Sequence, residues 1–246
     1  MGLSFDPESM HSAVERCLQW CAGPRASHTV ITANAGVLCM MRRDPELRQA
    51  CQSGELILAD GMSVVWALRL ASTPVPERVT GVDLMSCLLE AGATRGLRVF
   101  FLGAREEVVR PLADSCARKY PGLVVAGYRN GYFSAADHPA VVEQIRESRP
   151  DMLFVGMPSP FKEVFLERHR ARLEVPVLMG VGGSFDVLAG CVARAPAWLR
   201  SVGMEWSWRL LMEPRKMWKR YLTTNTEFIW TAGREALARR LGASSS

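Results

Sequence analysis

The sequence predicts an α/β protein with a doubly wound, mostly parallel, Rossmann-like sheet, and two observations carry that prediction. Apolar runs of about four to six residues recur along the chain, and each is followed by a stretch of helical periodicity. Most runs empty into glycine or a small polar residue, as strands buried on both faces do where they turn into covering helices.

Taken in order, Asp6-Pro7-Glu8 reads as a helix cap, a first-turn proline and an early acid. The helix it opens carries Met10, Val14, Cys17, Leu18 and Cys21 at helical spacing. Thr29 to Thr32 is a short strand, and Asn34-Ala35-Gly36 turns it into a helix running towards Cys51. Leu56 to Ala59 is the second strand, ending at Asp60-Gly61, with a helix from Met62 to Leu70 and another from Val82 to about Thr94. Val99 to Leu102 is a strand closed by Gly103, before a helix from Glu106 to Lys119. Leu123 to Ala126 is a strand leading into the loop Gly127 to Phe133, followed by a helix over Asp137 to Ser148. Met152 to Val155 is the next strand, then a helix through His169, and Val175 to Val181 is the last. The expected division is an α/β domain over 1–194 and a helical, basic, aromatic-rich C-terminal appendage over 195–246.

Composition narrows the classes. The chain has 246 residues, 48% hydrophobic and 22% charged, which suits a globular protein with a buried core. A formal charge of +5 is a mild excess, not that of a nucleic-acid binder. From Arg194 onward ten bases face four acids, so the tail carries the whole excess and the body is near neutral. Seven scattered cysteines without a Cys-x-x-Cys pair read as free thiols in a reducing compartment. The start, MGLSFDPES, lacks signal-peptide regions, and no apolar stretch reaches the ~18 residues of a membrane span. The expected location is therefore the cytoplasm.

Ligands of open α/β sheets bind beyond the carboxyl ends of the strands. That rule selects Thr32 and Asn34, Asp60, Gly103, Gly127, Pro158 to Glu163, and Gly182 to Asp186. Asp60 stands at the end of an apolar strand, where burial would raise its pKa and suit it to general-base work. The alternative is that it caps the helix at Met62. The glycines after the last strand would let backbone N–H groups approach a ligand, with Asp186 placed for ribose hydroxyls; an ordinary tight turn reads equally well. No Asp-x-Asp occurs, and the four histidines are far apart in sequence, so metal catalysis is not expected. Cationic side chains would then face a leaving phosphate, with Arg209, Arg215, Lys216, Lys219 and Arg220 as candidates. Five of seven tryptophans share that tail (Trp198, Trp206, Trp208, Trp218 and Trp230), which suits a membrane surface, a helical pair on the sheet or a subunit interface.

The blocks VGGSFDVLAG, RAPAWL and MEWSWRLLMEPRKMWKRY resemble the signature of the WecG/TagA/CpsF glycosyltransferases, glycosyltransferase family 26. TANAGVL, LADGMSVVW, ERVTGVDL, FFLGA, YPGLVVAGYRNGYF and VGMPSPFKE match further blocks in the same order. The resemblance spans about His28 to Tyr221. It implies a catalytic base at Asp60, substrate contacts from Thr32 and Asn34, and an arginine at Arg209 that completes the active site. One departure stands out, because Lys162 takes the place of a glutamine that lines the site in similar proteins. Lys162 would contact a phosphate or an acidic sugar, or else be a solvated lysine at a helix start.

The resemblance implies an inverting glycosyltransferase, and the residues above lead us to expect neither cofactor nor metal. It would move a sugar from a UDP-sugar (N-acetylmannosamine, its uronic acid or glucose) to a polyprenyl-diphosphate-linked saccharide in envelope or exopolysaccharide synthesis. It also implies peripheral attachment to the inner face of the cell membrane, and leaves a homo-oligomer open. Two rivals stand beside it: a catalytically silent nucleotide-binding scaffold, and a dehydrogenase, which the lack of G-x-G-x-x-G in the first strand–helix unit disfavours.

Overall fold

The apolar runs become β1 (His28–Ala33), β2 (Leu56–Ala59), β3 (Arg98–Gly103), β4 (Val124–Arg129), β5 (Met152–Gly156) and β6 (Val177–Gly180) of a computed structural model. It describes residues 2–73, 75–196, 198–199 and 205–212. All six strands are parallel, in the order β2-β1-β6-β5-β3-β4. The register sets Val30 beside Leu56 and Met179, and Val99 beside Met152.

Successive residues of a strand point to opposite faces, and the core divides accordingly. Val30, Leu56, Leu58, Phe101, Phe154 and Met179 pack on one face beneath α1 (Met10–Ala22), α5 (Gly81–Ala93), α6 (Glu106–Lys119) and α9 (Ser184–Leu188). On the other face, Ile31 and Ile57 meet α2 (Ala35–Met41), α3 (Pro45–Gln52) and α4 (Met62–Leu70). Further along that face Phe100, Leu153 and Leu178 meet α7 (His138–Ser148) and α8 (Phe161–Leu173). Helices on both faces of a parallel sheet are the doubly wound arrangement expected from the sequence. Of the appendage, α10 (Glu205–Met212) is described.

Three local readings need correction. Helix α1 starts at Met10, capped by Ser9 in a capping box with Ser12, rather than at Asp6-Pro7. Asp6 is drawn instead to the outer edge of β2, where its N–H donates to the Ile57 carbonyl (2.9 Å) and its carboxylate accepts the Ile57 N–H (2.7 Å). The single helix expected to run towards Cys51 is two, α2 and α3, because Asp44 caps Leu47 N–H and Pro45 opens a new first turn. Strand β4 runs on to Arg129, since Phe100 to Leu102 of β3 continue the pairing through Gly127, Tyr128 and Arg129.

Candidate active site

Parallel strands release their chain at one edge, and the following helices start there with unpaired N–H groups. Helices α2, α4, α6, α8 and α9 all begin at that edge, around a cleft of about 1890 Å³. Their positive ends make the cleft favourable to an anion.

Asp60 lies where β2 ends, half-buried, with its own N–H bonded to the Ala33 carbonyl (3.0 Å). It does not cap α4. Gly61 occupies that position in a backbone conformation (φ 120°) that favours glycine, and no side chain caps the helix. Asp60 Oδ2 instead accepts the Gly81 N–H at the start of α5, at 3.5 Å. A side chain at Gly81 would come within 3.0 Å of Thr32 Oγ1 and 4.0 Å of Asp60 Oδ2, so both groups converge on this bare backbone. Asn34 caps α2, its carboxamide oxygen accepting the Val37 N–H (3.2 Å), which leaves its NH₂ as the part suited to a ligand.

The turn after β6 forms the cleft's opposite part. Val181 and Gly182 N–H both donate to the Val155 carbonyl, and Gly182 takes a positive φ of 52°. Asp186, on α9, sets its Oδ2 3.8 Å from where a Gly183 side chain would begin. Thr32, Asn34, Asp60, Lys162, Gly182, Gly183 and Asp186 therefore all line one cleft, whereas Gly103 and Gly127 are not among its linings.

Lys162 is not a solvated lysine. It is 8% exposed, its ammonium bonded to Ser159 Oγ (2.5 Å) and ion-paired with Glu163, which is 5% exposed. Two histidines that sequence separation had set apart also come together: His138 Nδ1 and His169 Nε2 are 3.0 Å apart between α7 and α8. Burial first, then the neighbouring His138, Arg172 and Arg168, hold His169 below the ordinary histidine pKa. Among the described residues no three histidine, cysteine or acidic side chains group as a metal site.

The cleft has further linings that the sequence reading did not select. Arg78 belongs to the block before α5 and pairs with Glu205 of α10 (3.6 Å), which brings the appendage to the cleft rim. Trp208 Nε1 donates to the Ala193 carbonyl (3.1 Å) and fastens the same helix to the body. Arg105, Trp66 and Tyr132 line the cleft from the N-cap of α6, from α4 and from the loop after β4. Arg209 lies on α10 with its side chain outside the described set, and Arg215, Lys216, Lys219 and Arg220 lie outside the described residues.

This is the arrangement of a Rossmann-like α/β protein that takes its ligand at the carboxyl edge of the sheet, with a carboxylate and a glycine turn on either side. The chain belongs to the glycosyl transferase WecG/TagA/CpsF family, whose profile matches residues 1–242. It is 36% identical over 194 residues to an N-acetylglucosaminyldiphosphoundecaprenol N-acetyl-beta-D-mannosaminyltransferase of Bacillus spizizenii, covering 79% of this chain and 74% of that protein. The Bacillus subtilis protein of the same name is 34% identical (79% and 75% covered), and the Staphylococcus aureus one 33% over 221 residues (89% and 85%). The scaffold and dehydrogenase readings give way to a glycosyltransferase.

Proposed function

We propose that the protein transfers a sugar from a UDP-sugar to a hydroxyl of a polyprenyl-diphosphate-linked saccharide, with inversion at the anomeric carbon. The observation that carries this is the convergence of Asp60, Thr32 and Asn34 with the Gly182–Asp186 turn in one cleft ringed by helix N-termini. Relatives named for a lipid-diphosphate acceptor and an N-acetylmannosaminyl donor support the substrate class.

In this reading Asp60 accepts the proton of the acceptor hydroxyl as its oxygen forms the new bond to the anomeric carbon. The bond from that carbon to the diphosphate breaks on the opposite face, and UDP departs. Gly182, Gly183 and Asp186 hold the nucleotide, while Thr32 and Asn34 orient the reacting sugar. Helix N-termini, Arg209 and the cations of the appendage (Arg215, Lys216 and Lys219) balance the charge developing on UDP. No cofactor or metal is needed for this displacement. The appendage's tryptophans and bases rest on the inner face of the membrane, where the acceptor's lipid lies.

The test is release of UDP from a panel of UDP-sugars with one lipid-linked acceptor, with and without EDTA, paired with flotation on anionic liposomes. Acceptor-dependent release that survives EDTA is expected. UDP binding without acceptor-dependent release would overturn the reading, and loss with EDTA restored by Mg²⁺ would overturn the metal-free step.

A further inference from the structure

Lys162 and Glu163 are the only buried charged side chains among the described residues; Lys162 lines the cleft, and Glu163, the next residue, stands outside its lining. The Lys162 stem lies across the end of β6: a side chain at Gly180 would begin 2.9 Å from Lys162 Cδ, and one at Gly182 would begin 3.9 Å from its Cε. The ammonium donates to Ser159 Oγ, Ser159 Oγ donates to Glu163 Oε1 (2.7 Å), and the ammonium pairs with that same carboxylate. Glu163 Oε2 is buried and has no hydrogen-bond partner. Burying an ion pair is costly, and replacing it by apolar side chains is often neutral or better, so packing alone does not account for this one.

The strand order sets what the pair faces. Lys162 lies against the end of β6, the strand next to β1, and lines the same cleft as Thr32. The wall there offers a cation whose charge Glu163 already balances. An ammonium N–H there can meet a hydroxyl or amide oxygen. A carboxylate entering the same place would compete with Glu163 for the cation and leave that buried carboxylate, whose second oxygen has no donor, undercompensated.

We infer that the Ser159–Lys162–Glu163 cluster selects the donor by charge, accepting a neutral hexose or hexosamine and rejecting a uronic acid. Glu163 acts here as a positioning residue, through Lys162. The inference rests on the UDP-sugar reading above and narrows it to an uncharged transferred sugar.

The experiment compares kcat/KM for UDP-N-acetylmannosamine and for its 6-carboxylate, with the same lipid-linked acceptor, in the full chain. Wild type should favour the neutral donor by at least about tenfold, the scale of one unfavourable charge placement. Glu163→Gln leaves the Lys162 charge uncompensated and should move the ratio about tenfold towards the carboxylate, through a lower KM for that donor. The double variant Lys162→Gln/Glu163→Gln carries neither charge and should lose that gain. A wild type that prefers the carboxylate donor overturns the inference, and that arm needs no variant to fold. Loss of both donors in proportion in Glu163→Gln also overturns it, because the pair would then serve structure alone. A wild type that neither binds nor turns over any UDP-sugar sinks the nucleotide reading itself, which is a different result.

Discussion

The two banks of the cleft carry ionisable groups under opposite conditions. On the β1–β2 bank Asp60 is half-buried and reaches across open backbone to the Gly81 N–H, beside Thr32. On the β5–β6 bank Lys162 is buried against Gly180 and paired with the buried Glu163. A group that must change its charge during a reaction needs water or substrate within reach. One that only discriminates works best when fixed, because rotation would blur the choice. The roles proposed above follow that contrast, turnover at the first bank and selection at the second, and each can be broken separately.

The largest effect belongs to Asp60. Asp60→Asn keeps the size and the acceptor oxygen for Gly81, but it cannot take up a proton. Turnover should fall by ~10²–10⁴ while UDP affinity stays within a factor of about two. Near-normal turnover would remove Asp60 from the chemistry and leave the first bank without its role.

Two glycine substitutions sharpen the contrast through stability. At Gly61 a side chain would meet nothing closer than 4.0 Å, but the φ of 120° strains any other residue. Gly61→Ala should thus cost about 1–3 kcal/mol through the backbone. At Gly180 the added methyl would press on Lys162 Cδ, Cγ and Cε at 2.9–3.2 Å. Gly180→Ala should cost a similar ~1–3 kcal/mol through overpacking, and it should also disturb the neutral-over-acidic preference, which Gly61→Ala should spare. Urea denaturation gives the stabilities, and the donor ratio separates the two causes.

Much of this frame could be read from local pattern, and the misses share one physical origin. Helices Met62–Leu70 and Glu106–Lys119 run as their patterns predict, because periodicity and their flanking turns agree. The dipeptide Asp-Pro caps α3 at Asp44-Pro45, yet at Asp6-Pro7 the unpaired edge of β2 outcompetes the cap. Nothing local distinguishes the two. Lys162 looks like a surface lysine until Gly180, on another strand, supplies the space that buries it. His138 and His169 are 31 residues apart and meet only because α7 packs on α8. What sequence pattern lacks is the identity of partners brought in by the sheet.

The fixed bank extends along α8 to His169, and this gives a smaller, pH-dependent effect. Its folded pKa lies below 6.5, so the unfolded chain takes up a proton that the folded one refuses. That contribution to stability is complete above pH 6.5 and is lost as pH falls below it. Between about pH 7.5 and 5.5 the urea midpoint of the wild type should decline, and His169→Gln should flatten part of the decline. An unchanged slope in His169→Gln would show that the α7–α8 contact does not discriminate against protonation.

The smallest effect concerns a thiol beside the Gly182–Asp186 turn. Burial pushes the Cys17, Cys21 and Cys51 thiols up to about 12 and Cys116 to about 11, so their thiolates are scarce at pH 8. Cys191 differs, because it is exposed and lines the cleft just past α9, where the Val192 N–H returns to the Asp186 carbonyl (3.0 Å). A thiol-exchange reagent should therefore meet one fast cysteine in the native protein and all seven after denaturation. If the Gly182–Asp186 turn holds the nucleotide, saturating UDP should slow the fast reaction several-fold, while uncharged sugars alone should leave it unchanged. Cys191→Ser should abolish the fast phase and keep transfer intact, since no step of the displacement uses the thiol. A fast phase indifferent to UDP would move the nucleotide away from β6 and towards the β3–β4 end of the cleft, where Arg105 and Tyr132 stand.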